Sequence, residues 1–225
     1  MFKIENVNLI YDMGKEVQTY ALKDINLTLQ ENKMIGIMGP SGSGKSSLLY
    51  VMAGLKKQTS GKVHYDEMDF NKLSAKKAAN LRLNQFGFIF QRHFLIDYMT
   101  VLENVLTPIN SDSKEDKVKA LELLNMLKIG HLSNKKPYQL SGGQRQRVSI
   151  ARALINDPKV VFADELTAAL DHESAKEVMD FLNEYKKKAL IIIVTHDPSI
   201  LENADSIINI RDGEITSIDK LKGVV

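Results

Sequence analysis

The chain has 225 residues, 44% of them hydrophobic, which is enough for one large domain with its own core. Its 30 basic and 28 acidic residues give a net charge of +2, which excludes nucleic-acid binding driven by charge alone. Cysteine is absent, so disulfide bonds and thiolate metal sites are excluded. The first residues lack a signal-peptide pattern, and no apolar run approaches the ~20 residues that span a bilayer, so we expect a cytoplasmic protein.

The first part of the chain predicts three strands followed by a phosphate-binding loop. Apolar residues alternate or cluster over 2–10 and 20–29, and a turn at Asn32 leads into the apolar run 34–38. Residues 39–46 then read Gly-Pro-Ser-Gly-Ser-Gly-Lys-Ser, which fits the pattern G-x-x-x-x-G-K-[ST]. The segment 47–54 ends at a glycine and predicts a helix. Strand, loop and helix are the context that the motif requires.

The residue types in this loop suit a nucleoside triphosphate. Glycines allow the backbone to wrap a phosphate, and amides at the start of a helix attract an anion. Lys45 would place a positive charge on the β- and γ-phosphates, and the Ser46 hydroxyl suits Mg²⁺. The alternative for the loop alone is a Gly/Ser-rich turn with a chance lysine. The predicted nucleotide-binding positions are Gly39, Ser41, Gly42, Ser43, Gly44, Lys45, Ser46 and Ser47.

The rest of the chain predicts an α/β protein with a helical insertion. Further strands are predicted at 61–66, 86–90, 160–163, 190–194 and, as a hairpin around Asp212-Gly213, at 206–217. A helix is predicted at 74–84, and the pattern from about 92 to 156 is mainly helical, including 114–127. We see no interdomain linker, so we predict a single domain over 1–225. Its core and β-subdomain would occupy about 1–91 and 157–225, and its helical subdomain about 92–156.

Two predicted strands are followed by residues that could act on a bound nucleotide. Asp164 and Glu165 follow 160–163, and His196 follows 190–194, at the sheet edge where open α/β folds hold ligands. Asp164 would hold Mg²⁺ directly or through water, and Glu165 would be the general base. Without other context, two acids after a strand favour an ordinary loop, and a lone histidine favours a structural role. Because a phosphate loop lies upstream, we instead favour a role in the nucleotide site for the two acids.

A second anion-binding pattern lies far downstream, in Leu140-Ser141-Gly142-Gly143-Gln144. A Ser-Gly-Gly turn that opens a helix offers a hydroxyl and backbone N–H groups to an anion. One nucleotide does not need two such sites on one chain. We therefore expect each site to hold half of a shared nucleotide, so that the protein works as a dimer.

Together, 39–46 and 140–144 resemble the ATP-binding-cassette (ABC) ATPases, whose signature motif is LSGGQ. The resemblance implies a P-loop NTPase core with an antiparallel β-subdomain and an inserted α-helical subdomain. It implies ATP and Mg²⁺ as ligands, and ATP-dependent pairing as a homodimer or with a related ATPase subunit. Ser141, Gly142, Gly143 and Gln144 would then contact the nucleotide held by the partner chain.

The resemblance also implies roles for single residues. Gln91 matches the Q-loop glutamine, whose amide reaches Mg²⁺ and the attacking water, and His196 matches the switch histidine, which contacts the γ-phosphate. Asp171 matches the D-loop aspartate, which communicates across the dimer. Tyr11 matches the aromatic residue that stacks on adenine. For Tyr11 a surface tyrosine at a strand end remains the alternative.

Three segments, 20–26, 87–91 and 102–105, look like the subfamily of lipoprotein-release and macrolide-export ATPases. That group also contains antimicrobial-peptide resistance pumps and a cell-division ATPase. Two features depart from it. Leu166 replaces the usual proline, which predicts a looser D-loop because leucine does not fix φ. Residues 92–98 also differ, on the surface expected to face the permease.

These observations favour the ATP-hydrolysing subunit of a membrane transporter. It would lie at the inner face of the cell membrane, bound to a separate integral membrane permease, without a nucleic-acid partner. The cargo would be a peptide, a lipoprotein or a hydrophobic drug. The alternative is an ATPase that drives a membrane signalling partner regulating cell-wall enzymes during division, and the sequence does not separate the two. A soluble ABC protein acting on DNA or ribosomes generally carries a coiled-coil insertion or second cassette, and a P-loop kinase leaves 140–144 unexplained.

Overall fold

A computed structural model describes residues 1–12, 18–109 and 113–221. Within them the strands β1 to β10 are Phe2–Tyr11, Thr19–Leu29, Met34–Met38, Ser60–Tyr65, Met68–Asp69, Phe86–Ile89, Val160–Asp164, Leu190–Val194, Ser206–Arg211 and Glu214–Lys220. The helices α1 to α6 are Lys45–Met52, Ala75–Gln85, Val101–Leu106, Lys114–Met126, Gly142–Leu154 and His172–Tyr185. Among the described residues, no helix is both long enough and apolar enough to cross a membrane.

The strands form two sheets. The larger has the order β10-β9-β3-β8-β7-β6, in which β10 is antiparallel to β9 and the other neighbours are parallel. The smaller is antiparallel, with the order β2-β1-β4-β5. Every residue of β7 and β8 is buried, as the continuous apolar runs predict for central parallel strands.

The larger sheet lies between two hydrophobic layers. Along β8, Leu190, Ile192 and Val194 belong to a core shared with α1 and the antiparallel sheet. The alternate residues Ile191 and Ile193 belong to a second core shared with α3 to α6. This alternation follows from the two-residue period of a strand. The α/β fold with an antiparallel β-subdomain and added helices is thus the one that the sequence predicts.

The structure changes the predicted bounds at several places. The helix predicted at 47–54 begins at Lys45, because the phosphate loop runs directly into α1. The interval 92–156 contains α3, α4 and α5, but 92–100 contains no helix, so "mainly helical" is wrong for its first residues. The bounds of the two subdomains stay predictions.

The helix α6 was missed from the sequence, although its signal is present. Its buried residues Ala175, Val178, Met179 and Leu182 follow the i, i+3, i+4, i+7 spacing of an amphipathic helix. Asp171 caps its N-terminus by accepting a hydrogen bond from the Ser174 N–H. The cap and the spacing together predict this helix.

Candidate functional site

The predicted catalytic and phosphate-binding residues line one cavity of about 470 Å³. It lies at the carboxyl ends of β3, β7 and β8, which bring together chain segments far apart in sequence. The predicted residues that line it are Tyr11, Ser41, Gly42, Gly44, Lys45, Ser46, Ser47, Gln91, Asp164, Glu165 and His196. The remaining loop positions, Gly39 and Ser43, form bonds within the same loop: the Gly39 carbonyl accepts from Lys45, and the Ser43 N–H donates to the Pro40 carbonyl. The first half of the predicted site is therefore assembled within one chain.

The phosphate loop adopts backbone angles that its glycines permit. Gly39 and Gly44 have φ values of +151° and +105°. A Cβ atom on Gly39 would lie 2.0 Å from the Ile210 carbonyl oxygen, and one on Gly44 would lie 2.4 Å from the Ala21 carbonyl oxygen. Both the φ angle and the close approach exclude other residues at these two positions.

The loop presents donors suited to an anion. The Lys45 ammonium donates to the carbonyl oxygens of Gly39 and Pro40 at 2.9 and 2.8 Å, and the residue is only 9% exposed. Within the described part of the chain, the buried Ser43 Oγ has no hydrogen-bond partner. Buried polar groups are normally paired, so an unpaired hydroxyl beside a buried ammonium fits a loop that wraps a phosphate group.

Asp164 lies at the end of β7, against the first turns of α1. The Ser46 hydroxyl donates to its Oδ1 at 3.0 Å, and the Tyr50 hydroxyl donates to its Oδ2 at 2.8 Å. Burial and the bond to Asp164 raise the pKa of Tyr50 to about 12, so Tyr50 is an O–H donor at neutral pH. A carboxylate and a hydroxyl beside a phosphate site are the donor set that Mg²⁺ uses with substrate phosphates and water.

Glu165 and His196 contact each other at the mouth of the cavity. Both carboxylate oxygens of Glu165 lie 3.0 Å from His196 Nδ1, and the His196 side chain is 75% exposed. Glu165 has a φ of +50°, a left-handed conformation that costs a non-glycine residue roughly 1–2 kcal/mol. Its N–H donates to the Val194 oxygen at 2.9 Å, which holds that conformation against β8. Strain of this kind is typical of functional positions.

Leu166, the residue expected to loosen the following loop, is fully buried in the core that contains α3 to α6. The loop also contains backbone bonds from Ala168 to Glu165 and from Leu170 to Thr167. Leu166 therefore anchors the loop by packing into the core, whereas a proline would act by fixing φ.

Tyr11 lines the cavity beside Ser47, the residue that directly follows the loop. Its hydroxyl lies 3.5 Å from Ser47 Oγ, and the Lys56 ammonium lies 4.6 Å from the ring centre. The cavity also contains Thr19 and Tyr20, which sequence reasoning missed. Thr19 is the cross-strand partner of Tyr11, so only the pairing of β1 with β2 brings it to the site. Tyr50 was also missed, although its spacing from Ser46 on α1 predicts a shared helix face.

The second predicted half lies in a separate cavity of about 490 Å³. Its predicted residues are Ser141, Gly142, Gly143, Gln144 and Asp171. Ser141 caps α5: its Oγ accepts the Gln144 N–H at 3.2 Å, and its N–H donates to Gln144 Oε1 at 2.9 Å. The backbone and side-chain bonds from Ser174 lower the pKa of Asp171. This cavity and the Lys45 cavity have no lining residue in common.

A family profile matches the chain from residue 22 to residue 168, and a relative matches nearly its whole length. Residues 22–168 match the profile of the family described as "ABC transporter". The chain is 40% identical to an uncharacterised ABC transporter ATP-binding protein, MJ0796, of Methanocaldococcus jannaschii, covering 99% of this chain and 98% of that protein. It is 41% identical to the macrolide export ATP-binding/permease protein MacB of Neisseria meningitidis, but covers only 34% of that protein.

Solved structures of this relative have the same fold. The fold matches a dimeric structure of MJ0796 in a post-hydrolysis state bound to ADP and phosphate, with a TM-score of 0.92 over the whole of both chains. A second dimeric structure of that cassette matches with a TM-score of 0.93. The profile covers more than half of the chain, and the full-length relative is 40% identical over 99% of it. The chain therefore belongs to the ABC transporter family, as an ATP-binding subunit that hydrolyses ATP.

Proposed function

We propose that this subunit binds ATP with Mg²⁺ between the Lys45 cavity of one chain and the Ser141 cavity of a second. The observation that supports this proposal is that the phosphate-binding groups around Lys45 and those around Ser141 lie in separate cavities of one chain. The partner is a second copy or a related subunit. ATP joins the two chains, and hydrolysis releases them.

In the first half, the Lys45 ammonium exchanges its two loop carbonyls for β- and γ-phosphate oxygens. Ser46 and Asp164 would hold Mg²⁺, and Gln91 would contribute its side-chain amide from the Q-loop. The ion would neutralise charge that develops on the β- and γ-phosphates. Tyr11 stacks on adenine.

Hydrolysis uses the pair at the mouth of the cavity. Glu165 accepts a proton from the water whose oxygen attacks the γ-phosphorus, and the bond to the ADP oxygen breaks to give ADP and phosphate. His196 contacts the γ-phosphate and fixes the position of the Glu165 carboxylate through their 3.0 Å contact. The exposure of His196 leaves its ring accessible to the nucleotide.

In the second half, the Ser141 hydroxyl and the amides of Gly142 and Gly143 face the partner's γ-phosphate from the start of α5. Gln144 completes the set. Asp171 ends the loop that begins at Glu165, and it also lines the Ser141 cavity. It therefore connects the catalytic residue of one half to the binding surface of the other.

The permease partner docks in an open apolar groove of about 590 Å³. Leu83 and Phe94 line it and are 51% and 63% exposed. Phe94 is held at a φ of +46°, which is rare for a bulky residue. The Arg152 guanidinium stabilises this conformation by donating to the carbonyls of His93 and Phe94, both at 2.6 Å. Phe90, in the groove, directly precedes Gln91, so a segment docked here can act on the nucleotide cavity.

The resemblance to the lipoprotein-release and macrolide-export subfamily favours a peptide, a lipoprotein or a hydrophobic drug as the cargo, moved outward or extracted. A membrane signalling partner that regulates cell-wall enzymes during division would use the same groove. Loss of drug or peptide export in a strain lacking the partner distinguishes the transporter from the signalling function.

The groove is tested by membrane association of the tagged chain in its own cells. Phe94→Asp places a charge on the apolar surface, and we expect most of the protein to leave the membrane fraction while ATP binding persists. Val118→Asp is the matched control, because Val118 is a 55% exposed residue outside the groove. Unchanged membrane association of Phe94→Asp would contradict the docking site.

A further inference from the structure

We propose that Tyr50 is a positioning residue of the magnesium site. Its phenol holds the Asp164 carboxylate in the orientation that presents Oδ1 to Ser46. The inference rests on the proposed function, since it takes Ser46 and Asp164 as the residues that hold the metal. Tyr50 lies on α1 outside the phosphate-loop motif, and nothing in that motif specifies a tyrosine there.

Geometry carries the inference. Ser46 and Tyr50 are four residues apart on α1, so their side chains lie on the same helix face, one turn apart. Each donates to a different oxygen of Asp164, at 3.0 and 2.8 Å. Two donors of one helix therefore bind the two oxygens of the carboxylate.

The chemistry of the two donors suits a metal site. Asp164 is 6% exposed, and in the described part of the chain it forms no salt bridge with a basic side chain. Two neutral hydroxyls fix the orientation of the carboxylate without neutralising the charge that attracts a cation. A carboxylate held at only one oxygen could rotate away from Ser46. Partners that orient metal-binding groups are typically worth about 10–100-fold in metal affinity or activity.

The test is Tyr50→Phe, which removes only the hydroxyl. The bonds from the Leu55 and Lys56 N–H groups to the Tyr50 carbonyl at the end of α1 remain available. Calorimetry with a non-hydrolysable ATP analogue gives the affinity across a Mg²⁺ series and in EDTA. We expect the half-saturating Mg²⁺ concentration to rise roughly 10-fold. We expect the affinity in EDTA to stay unchanged, because Lys45 and the loop are intact.

Two comparisons isolate the mechanism. Tyr65→Phe removes a hydroxyl from a buried tyrosine on β4, outside the nucleotide cavity, and should leave the Mg²⁺ requirement unchanged. In an Asp164→Asn background, Tyr50→Phe should have no further effect on Mg²⁺, because its action passes through that carboxylate.

Three outcomes overturn the inference. An unchanged Mg²⁺ requirement in Tyr50→Phe shows that the hydroxyl does not position Asp164. An equal loss of affinity in EDTA shows a structural role in α1. A parent protein whose nucleotide affinity does not depend on Mg²⁺ contradicts the metal assignment of the proposed function, which is a different failure from the first two.

Discussion

The two predicted anion-binding halves of this chain are built in opposite ways. The Lys45 loop is tightly turned and enclosed: Gly39 and Gly44 lie at positive φ, which glycine permits, and the ammonium is buried against carbonyl oxygens of its own loop. The Ser141 half is the relaxed and exposed start of α5, closed by its own capping box. The first half surrounds its predicted ligand with groups of one chain. The second presents its donors near the surface, in keeping with our proposal that a second chain encloses them.

The comparison predicts that the residues that carry out hydrolysis belong to the Lys45 half alone. Glu165→Gln removes the carboxylate that accepts the proton and keeps a similar shape. We expect hydrolysis to slow by roughly 10²–10⁴-fold, the usual contribution of positioned base catalysis. ATP binding should persist, and the protein should accumulate as an ATP-bound dimer visible by light scattering. Near-normal turnover would assign the base role elsewhere, first to His196.

Binding in the Lys45 half should depend on one cation. Lys45→Ala removes the ammonium from the loop, and we expect the Kd for ATP to rise roughly 10²-fold or more, as when one partner of a buried charged pair is lost. Calorimetry measures this, and circular dichroism confirms the fold. Lys57→Ala is the matched control, because Lys57 is exposed and lines a different cavity. Tight MgATP binding by Lys45→Ala would contradict the phosphate-loop assignment.

How far the sequence predicts each half depends on the range of the interactions. The phosphate loop, the Ser-Gly-Gly turn that opens α5 and the buried strands β7 and β8 are local patterns, and the structure places them where the sequence predicts. The residues that were missed depend on long-range contacts. Thr19 reaches the cavity through the pairing of β1 with β2, and Tyr50 through the packing of α1 against β7.

The prediction that 92–100 belongs to a mainly helical interval was wrong for a different reason. Its composition does not exclude a helix, but the Asn104 side chain bonds to the backbone of Ile96 and Met99. The Phe94 carbonyl accepts a bond from Arg152, which lies 58 residues further along the chain. A local pattern does not contain that partner. By contrast, α6 was missed although its cap and apolar spacing are both local, so that error was one of interpretation.

Sharing of one site by two chains is tested by mixing two inactive proteins. Lys45→Ala disables a loop, and Ser141→Arg places a large cation at the start of α5. A heterodimer of the two keeps one composite site with an intact Lys45 and an intact Ser141. We expect ATP hydrolysis by the mixture to exceed the sum of the separate proteins. If Ser141→Arg alone hydrolyses ATP normally and still dimerises with ATP, the sharing model is wrong.

The smallest expected effect concerns the connection between the halves. His93 lies two residues after Gln91 of the first half, and its ring is close to the backbone of Gly142 in the second. In the described part of the chain its buried Nε2 has no hydrogen-bond partner. Burial, with the nearby charges of Arg145 and Arg152, lowers the pKa of His93 below its usual value of 6.5, although the Gly142 backbone opposes this. The folded protein therefore binds fewer protons at His93 than the unfolded chain does near that pH.

Stability contributed by a neutral His93 is thus full above about pH 6.5 and declines as the pH falls from there toward the lowered pKa. His93→Gln removes this proton linkage, so we expect its melting temperature to fall less between pH 7.5 and pH 5.5 than that of the parent protein. His131→Gln controls for the loss of a histidine at an exposed position and should keep the parental pH dependence. An identical pH dependence in His93→Gln and the parent would show that protonation of His93 does not oppose folding. The link between the halves would then depend on the Arg152 contacts to the His93 and Phe94 carbonyls rather than on the imidazole.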